Sequence, residues 1–165
     1  MSTVPAGVAL RTLEPVDWPE VERIYAEGIA TRMATFETVT PSWEDWDAGH
    51  LRAPRLVATL EGKMVGWAAL SPVSRRAVYR GVAEVSVYVA GRARRRGVGR
   101  ALLDALIERA EATGLWTLQA GIFAENVPSI RLHEEAGFRL VGHRERIAEL
   151  DGRWRDTVIY ERRRP

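Results

Sequence analysis

The order of patterned segments predicts an α/β (α+β) fold: a mixed, mostly antiparallel seven-stranded sheet with helices on both faces. Three observations carry this. Seven short runs rich in Val, Ile, Leu and Thr have strand length and end at turn residues. Four other segments space their apolar residues for a helix or open with helix-start signals. The turns Glu61-Gly62-Lys63 and Asp151-Gly152 join strands directly, which makes those neighbours antiparallel.

Val8–Thr12 reads as the first strand. Asp17-Trp18-Pro19-Glu20 then offers a helix cap, and Val21, Ile24, Tyr25 and Ile29 mark the inner face of the helix behind it. The segment 30–39 has no period and reads as a loop. Thr40-Pro41 predicts a second, short helix with Pro at its first position, carrying Trp43 and Trp46. Leu56–Leu60 and Met64–Ser71 form a hairpin, and a basic loop over 74–81 leads to the central strand Glu84–Val89. A helix from Val98 presents Val98, Leu102, Leu106 and Ala110 on one face. Gly114 ends the turn after it, and Thr117–Ile122 is an apolar strand. Asn126 opens a last helix with Pro128 in its first turn and Gly137 as its stop. The segments 138–147 and 154–162 pair as the final hairpin, and the tail Arg162-Arg163-Arg164 is expected to fray.

With 165 residues the chain is expected to form one domain over 1–165. It has no cysteine, which excludes disulfides, thiolate metal sites and a Cys nucleophile. Three scattered histidines make a metal site an unexpected feature. There is no apolar leader and no run long enough to span a membrane, so a cytoplasmic protein is expected. The pI near 9.4 is high for a net charge of only +2, because Lys63 is the only lysine among 24 basic residues and arginine stays protonated far above neutrality. That balance alone does not call for a polyanionic partner.

The stretch most informative about function joins the central strand to the helix after it. Gly97 and Gly99 lie at the helix start, where each costs about 1 kcal/mol relative to Ala. The first N–H groups of a helix lack internal partners and carry partial positive charge. Two residues without Cβ let an anion approach them. Arg94, Arg95, Arg96 and Arg100 flank the joint. The pattern reads as an anion clamp for a phosphate or pyrophosphate; a solvated Arg-rich loop and a nucleic-acid patch are the alternatives. It is not a P-loop, since Val98-Gly99 follows Gly97 where Lys-Ser/Thr is needed. Nor is it a dinucleotide fingerprint, since Leu102 stands where Gly or Ala is needed.

Arg94-Arg95-Arg96-Gly97-Val98-Gly99 resembles the (Q/R)-x-x-G-x-(G/A) signature of the GNAT superfamily of acyl-CoA-dependent N-acetyltransferases. Glu84-Val85-Ser86-Val87-Tyr88-Val89 before it resembles the phosphinothricin and methionine sulfoximine acetyltransferase branch. So do Asn126 and Ser129 to Phe138, the early Ala34-Thr35-Phe36-Glu37-Thr38 and the late Gly152-Arg153-Trp154-Arg155-Asp156. The resemblance implies a fold whose fourth and fifth strands splay apart to hold acetyl-CoA, the co-substrate, in the resulting V. It also implies transfer to the amine of a small amino-acid-like molecule, and a homodimer; transfer is expected to be direct, since no Cys is available to hold an acetyl group.

Attack on a thioester needs a neutral amine, and a carboxylate can take its proton directly or through a water. The resemblance assigns that base to Glu84. The oxyanion and the pantetheine arm fall to the backbone of Val87, Tyr88 and Val89, the latter as an added strand. The diphosphate falls to Arg94–Arg100, including Val98, and the pantetheine amides to Asn126, with Ser129 beside it. His133 stands where many superfamily members have a tyrosine; near its ordinary pKa it can act as acid or base toward the leaving thiolate. A carboxylated acceptor favours arginine, so Arg75, Arg76 and Arg80, with Tyr79 among them, are candidate acceptor contacts, as are Phe36 and Glu37. Val73-Ser74 occupy the places where the branch commonly has Trp-Arg. Two rivals remain. The same fold could acetylate a peptide, protein or other small amine. An Arg-rich nucleic-acid module is the remoter one, and it lacks the interleaved aromatics of single-strand binders.

Overall fold

The computed structural model describes residues 4–165. Seven strands form one sheet: β1 Val8–Thr12, β2 Arg55–Leu60, β3 Lys63–Pro72, β4 Val82–Val89, β5 Thr117–Phe123, β6 Arg139–Leu150 and β7 Arg153–Arg163. Their spatial order is β1-β2-β3-β4-β5-β7-β6. Every neighbouring pair is antiparallel except β4 and β5. The helices are α1 Trp18–Ala30, α2 Trp43–Gly49, α3 Val98–Ala112 and α4 Val127–Glu135.

Two apolar clusters sandwich the sheet. On one face Leu102, Leu103, Leu106 and Ala110 of α3 pack on Leu56, Ala68, Leu70, Ala83 and Val85. Complete burial of each leucine there contributes about 1.5–3 kcal/mol. On the other face Val21 and Ile24 of α1 and Trp46 of α2 pack on Val57, Met64, Trp67 and Ala69. Tyr88 stacks on Trp67 at 4.8 Å on this second face. Alternation along β4 therefore sends Val85 to the α3 side and Tyr88 to the α1 side.

The expected seven-stranded architecture stands, with five local differences. Helix α2 starts at Trp43 with Ser42 as its cap, the Ser42 hydroxyl accepting from Asp45 N at 3.1 Å, so Pro41 precedes the helix. Asp17 does not cap α1 with its side chain. Its carboxylate instead accepts from the Glu14 N–H and from Arg11, which holds it below the usual carboxylate range. Strand β4 begins two residues earlier than expected, so Glu84 is its third residue. The final hairpin is longer, β6 reaching Leu150. The basic tail is tied down rather than frayed: Arg162 pairs with Glu111, and Arg164 N donates to the Trp116 carbonyl at 3.0 Å.

The central feature is how briefly β4 and β5 pair. They are in register only at Val82, Ala83 and Glu84 against Thr117, Leu118 and Gln119. Beyond that β4 follows β3 to Val89 and β5 follows β7 to Phe123. The closed end of this V is fixed at Gly81, whose carbonyl accepts from Trp116 N and Thr117 N at 2.8 and 3.1 Å. The Trp116 ring lies over Gly81 so closely that a Cβ would sit 2.1 Å from it. Gly81→Ala must push the ring or the strand aside, and it is expected to lower the unfolding free energy by about 1–3 kcal/mol in urea titration. Gly49→Ala, where a Cβ meets nothing within 4 Å, is the control and should leave stability unchanged or raised.

Candidate active site

The V opens into a cleft of about 1170 Å³. One wall is the freed edge of β4 from Val85 to Val89, and the opposite wall is β5 from Ala120 to Phe123. The backbone groups of β4 that point into the gap have no strand partner past Glu84, which leaves a hydrogen-bonding edge for an extended ligand.

At the wide end, the loop after β4 runs into α3. Arg95 and Gly97 both take left-handed backbone, at φ 63° and 78°. Gly97 caps α3 without a side-chain bond, and the first intrahelical acceptor pair is Ala101 N to Gly97 O at 3.1 Å. Among the described residues, the N–H groups of Val98, Gly99 and Arg100 are left without a backbone partner. A Cβ on Gly99 would lie 3.6 Å from both Leu132 and Val89, so the surrounding protein tolerates one there. The space that a larger side chain would fill belongs to the cleft.

Arg94, Arg95, Gly97, Gly99 and Arg100 line this end, together with Asn126 and Ser129 at the start of α4 and Arg131 and His133 further along it. Arg96 is exposed and is not part of the wall. Val98 buries its side chain in the core beneath α3, so only its main chain can face a ligand. Arg100 is already engaged, its Nε donating to both oxygens of Asp104 at 2.9 and 2.8 Å. Asn126 is engaged too. Its Oδ1 accepts from Ser129 N at 3.3 Å, and its Nδ2 donates to the Met33 carbonyl at 2.9 Å.

His133 is 6% exposed and lies edge-on to Phe138. Its Nδ1 is 2.7 Å from the Ser129 carbonyl. A carbonyl only accepts, so Nδ1 carries the proton and Nε2 presents a lone pair. Burial, opposed by that hydrogen bond, pushes the imidazole below its ordinary pKa. At neutral pH His133 is therefore a neutral acceptor at Nε2. The sequence left both roles open because it does not show the Ser129 contact.

Glu84 lies where β4 and β5 part, half-buried, with Gln119 Nε2 donating to its Oε1 at 3.4 Å. Gly121 leaves room beside it, its Cβ position lying 3.6 Å from Glu84 Oε1. Tyr88 is clasped between α1 and β3. Gly28 lies so close that a Cβ there would be 2.7 Å from the ring. Burial, with Tyr25 beside it, pushes the Tyr88 hydroxyl far above its ordinary range, so it stays protonated.

Phe36 lines the cleft and meets Phe123 edge-on at 4.8 Å, but Glu37 is not in the wall. Arg75, Arg76, Tyr79 and Arg80 are not brought to the cleft. Arg76 stacks over Tyr79 and Arg80 over Trp116, at 5.7 and 5.4 Å. These cations lie on the outer surface by the closed end of the V, where neighbouring aromatic faces satisfy them.

Several residues at the site escaped the sequence reading. Arg155 is 6% exposed. It packs 4.0 Å over Phe123 and donates to Glu125 at 3.3 Å and to the Arg32 carbonyl at 2.9 Å. With Asn126 it fastens the loop after α1, which carries Met33 to Phe36, to the wide end of the cleft. β7 carries charges at Arg153, Arg155, Asp156, Glu161, Arg162 and Arg163, so no charge pattern in the sequence singles Arg155 out. Gln119, Arg144, Thr157 and Ile159 also line the cleft, and their partners are set by sheet order, which single strands do not reveal.

The Acetyltransferase (GNAT) family profile matches residues 12–138, and the chain belongs to that family. It is 34% identical over 162 residues to the L-methionine sulfoximine/L-methionine sulfone acetyltransferase of Pseudomonas paraeruginosa, covering 94% of each chain. A phosphinothricin acetyltransferase from Sinorhizobium meliloti, solved in complex with AcCoA, superposes with TM-score 0.86 at 32% identity, over 95% of this chain and 88% of that one. A ribosomal-protein-alanine N-acetyltransferase from Brucella melitensis superposes with TM-score 0.87 at 33% identity, over 94% and 99%.

Two histidines, one buried and one half-buried, bear on stability. His133 and His50 are both held below their ordinary pKa, chiefly by burial, so the unfolded chain binds protons more readily. Their contribution is full above about pH 6.5 and is lost as pH falls from there toward the folded values. Urea unfolding from pH 7.5 to 5.5 should show falling stability, with a shallower slope in His133→Gln. An unchanged slope in that variant would show that His133 titrates alike in both states.

Proposed function

We propose that this protein transfers acetyl from acetyl-CoA directly to the amine of a small amino-acid-like acceptor, of the phosphinothricin or methionine sulfoximine type. The observation that carries this reading is the freed edge of β4 running from Glu84 to the uncapped N-terminus of α3. It supplies, in one line, a base, an extended hydrogen-bonding edge and an anion site. Those are the three needs of a thioester carried on a long amide-bearing arm with a diphosphate at its end.

In this reading the α3 N–H groups with Arg94 and Arg95 hold the diphosphate, and β4 pairs with the pantetheine arm. The acceptor enters from the α1 side. Glu84 takes the proton from the ammonium, alone or through a water, and the amine nitrogen attacks the thioester carbon. The carbonyl π electrons move to oxygen, where a β4 main-chain donor meets the developing charge. Collapse expels the CoA thiolate, whose thiol is acidic enough (about 8.5) to leave with little help, and the second proton of the attacking nitrogen passes through water to that thiolate, leaving the neutral amide and free CoA thiol. The His133 lone pair at Nε2 then suits an accepting role near the arm. Occupation of the arm's place requires Asn126 to share its remaining N–H or to release Met33, which couples the cofactor to the loop after α1.

No helix among the described residues is long and apolar enough to cross a membrane. No group of His, Cys, Asp and Glu there could hold a metal ion. We further infer a cytoplasmic homodimer without a nucleic-acid partner, since Arg94 and Arg95 line the cleft and Arg100 is matched by Asp104, which leaves Arg96 alone of the clamp on the outer surface. The likeness to a ribosomal-protein-alanine acetyltransferase favours a peptide amine as the second reading.

A thiol-release assay with acetyl-CoA separates them. Turnover is expected with phosphinothricin or methionine sulfone and absent with an alanine-terminated peptide, and the reverse pattern overturns the acceptor class. Glu84→Gln should lower kcat by about 10²–10⁴, most at low pH where little free amine exists. A pH profile matching the unsubstituted enzyme would remove Glu84 from the role.

A further inference from the structure

The cleft holds a cation that none of the roles above uses. Arg144 of β6 lines it, exposed. The register fixes which side it faces. Arg144 is opposite Thr157, and Thr157 is opposite Phe123 of β5. Val158 and Tyr160 of β7 point into the core under α3, so Thr157 and Ile159 point the other way, with Gln119 and its partner Glu84. Arg144 therefore shares the acceptor side of the sheet with Glu84, not the side where α3 begins.

Its placement is built rather than incidental. Between Arg144 and Ala148 the β6–β7 register shifts, with Arg146 in left-handed backbone at φ 43°. Asp156 pins this bulge from the opposite face. Its Oδ1 accepts from Arg146 N at 2.8 Å and its Oδ2 from His143 Nε2 at 2.7 Å. Bulges of this kind re-aim side chains, and here Arg144 and Ile147 both reach the cleft. On this hairpin Arg139 pairs with Glu161, Arg155 with Glu125 and Arg162 with Glu111, whereas Arg146 and Arg153, also without an ion pair among the described residues, do not line the cleft. Arg144 has no acidic partner among the described residues.

Distance then ranks what it can read. Phe123 lies four residues along β5 from Gln119, the partner of Glu84, roughly 13 Å, and Arg144 is three strand spacings across from β4, about 14 Å, so the main chains at Glu84 and Arg144 stand roughly 19 Å apart. With the amine held at Glu84, an anion at the far end of the acceptor side chain comes nearer Arg144 than a carboxylate on the carbon beside the amine.

We propose that Arg144 is a specificity-determining residue that binds a carboxylate or phosphinate at the distal end of the acceptor side chain. This rests on the amino-acid-like acceptor reading. Steady-state kinetics with phosphinothricin and methionine sulfone test it, since both carry the same α-amino-acid head and only the first has a side-chain anion. Arg144→Gln should raise the phosphinothricin KM about tenfold or more, with kcat within about twofold, and move the methionine sulfone KM less than about threefold. Arg144→Lys should recover part of the loss. Equal shifts for both acceptors, or none for phosphinothricin, overturn the proposal. If the unsubstituted enzyme acetylates methionine sulfone but not phosphinothricin, Arg144 loses this role while the acceptor class stands. If it acetylates neither, the acceptor class fails and the proposal with it.

Discussion

The pairing of β4 with β5 stops after three residues, and the rest of the site depends on that stop. A parallel pair continued to Val89 would satisfy both edges and leave no cleft. The pair parts because each strand has a stronger commitment elsewhere, β4 to β3 and β5 to β7, over seven residues each. The Gly81–Trp116 contact clamps the closed end, and α1 and α3 hold the open end from opposite faces. The unpaired backbone of β4 is then not a defect of the sheet. In the proposed function it is the binding surface, held in place by the core on both sides.

The two ends of the cleft are built by different physics. Toward α3 the means are main-chain: a left-handed turn at Gly97, three free N–H groups and little need of particular side chains. Arg100, the cation placed on the helix itself, is matched by Asp104, so the helix end and the loop arginines carry the charge. On the acceptor side the means are side chains from distant parts of the chain. Arg155 and Asn126 fasten the loop after α1, Gln119 orients Glu84, and Asp156 shapes the bulge behind Arg144. Buried cations such as Arg155 are costly unless every donor is met. Here Phe123, Glu125 and the Arg32 carbonyl meet it.

This division explains what the sequence could reveal. The sheet and helices were legible because their periods are strong. The anion end was legible because its glycines and arginines are contiguous. The acceptor end was not. Arg75, Arg76 and Arg80 form a cluster upstream of Glu84 in sequence, yet the connection between β3 and β4 leaves them on the outer surface. Arg144 looked like one more charge in a polar hairpin, and only the order β5-β7-β6 brings it across from Glu84. The double duty of Asn126 and the tautomer of His133 depend on single carbonyls, of Met33 and Ser129, that no pattern of residue types predicts.

Amide hydrogen exchange with and without acetyl-CoA tests the central claim most directly, because it reads the proposed main-chain donors one by one. Bound thioester should slow exchange at β4 residues past Glu84 whose N–H faces β5, and at Val98, Gly99 and Arg100, while leaving the β6–β7 hairpin unaffected. Unaltered exchange along β4 and at the start of α3, under saturating acetyl-CoA, would contradict the account.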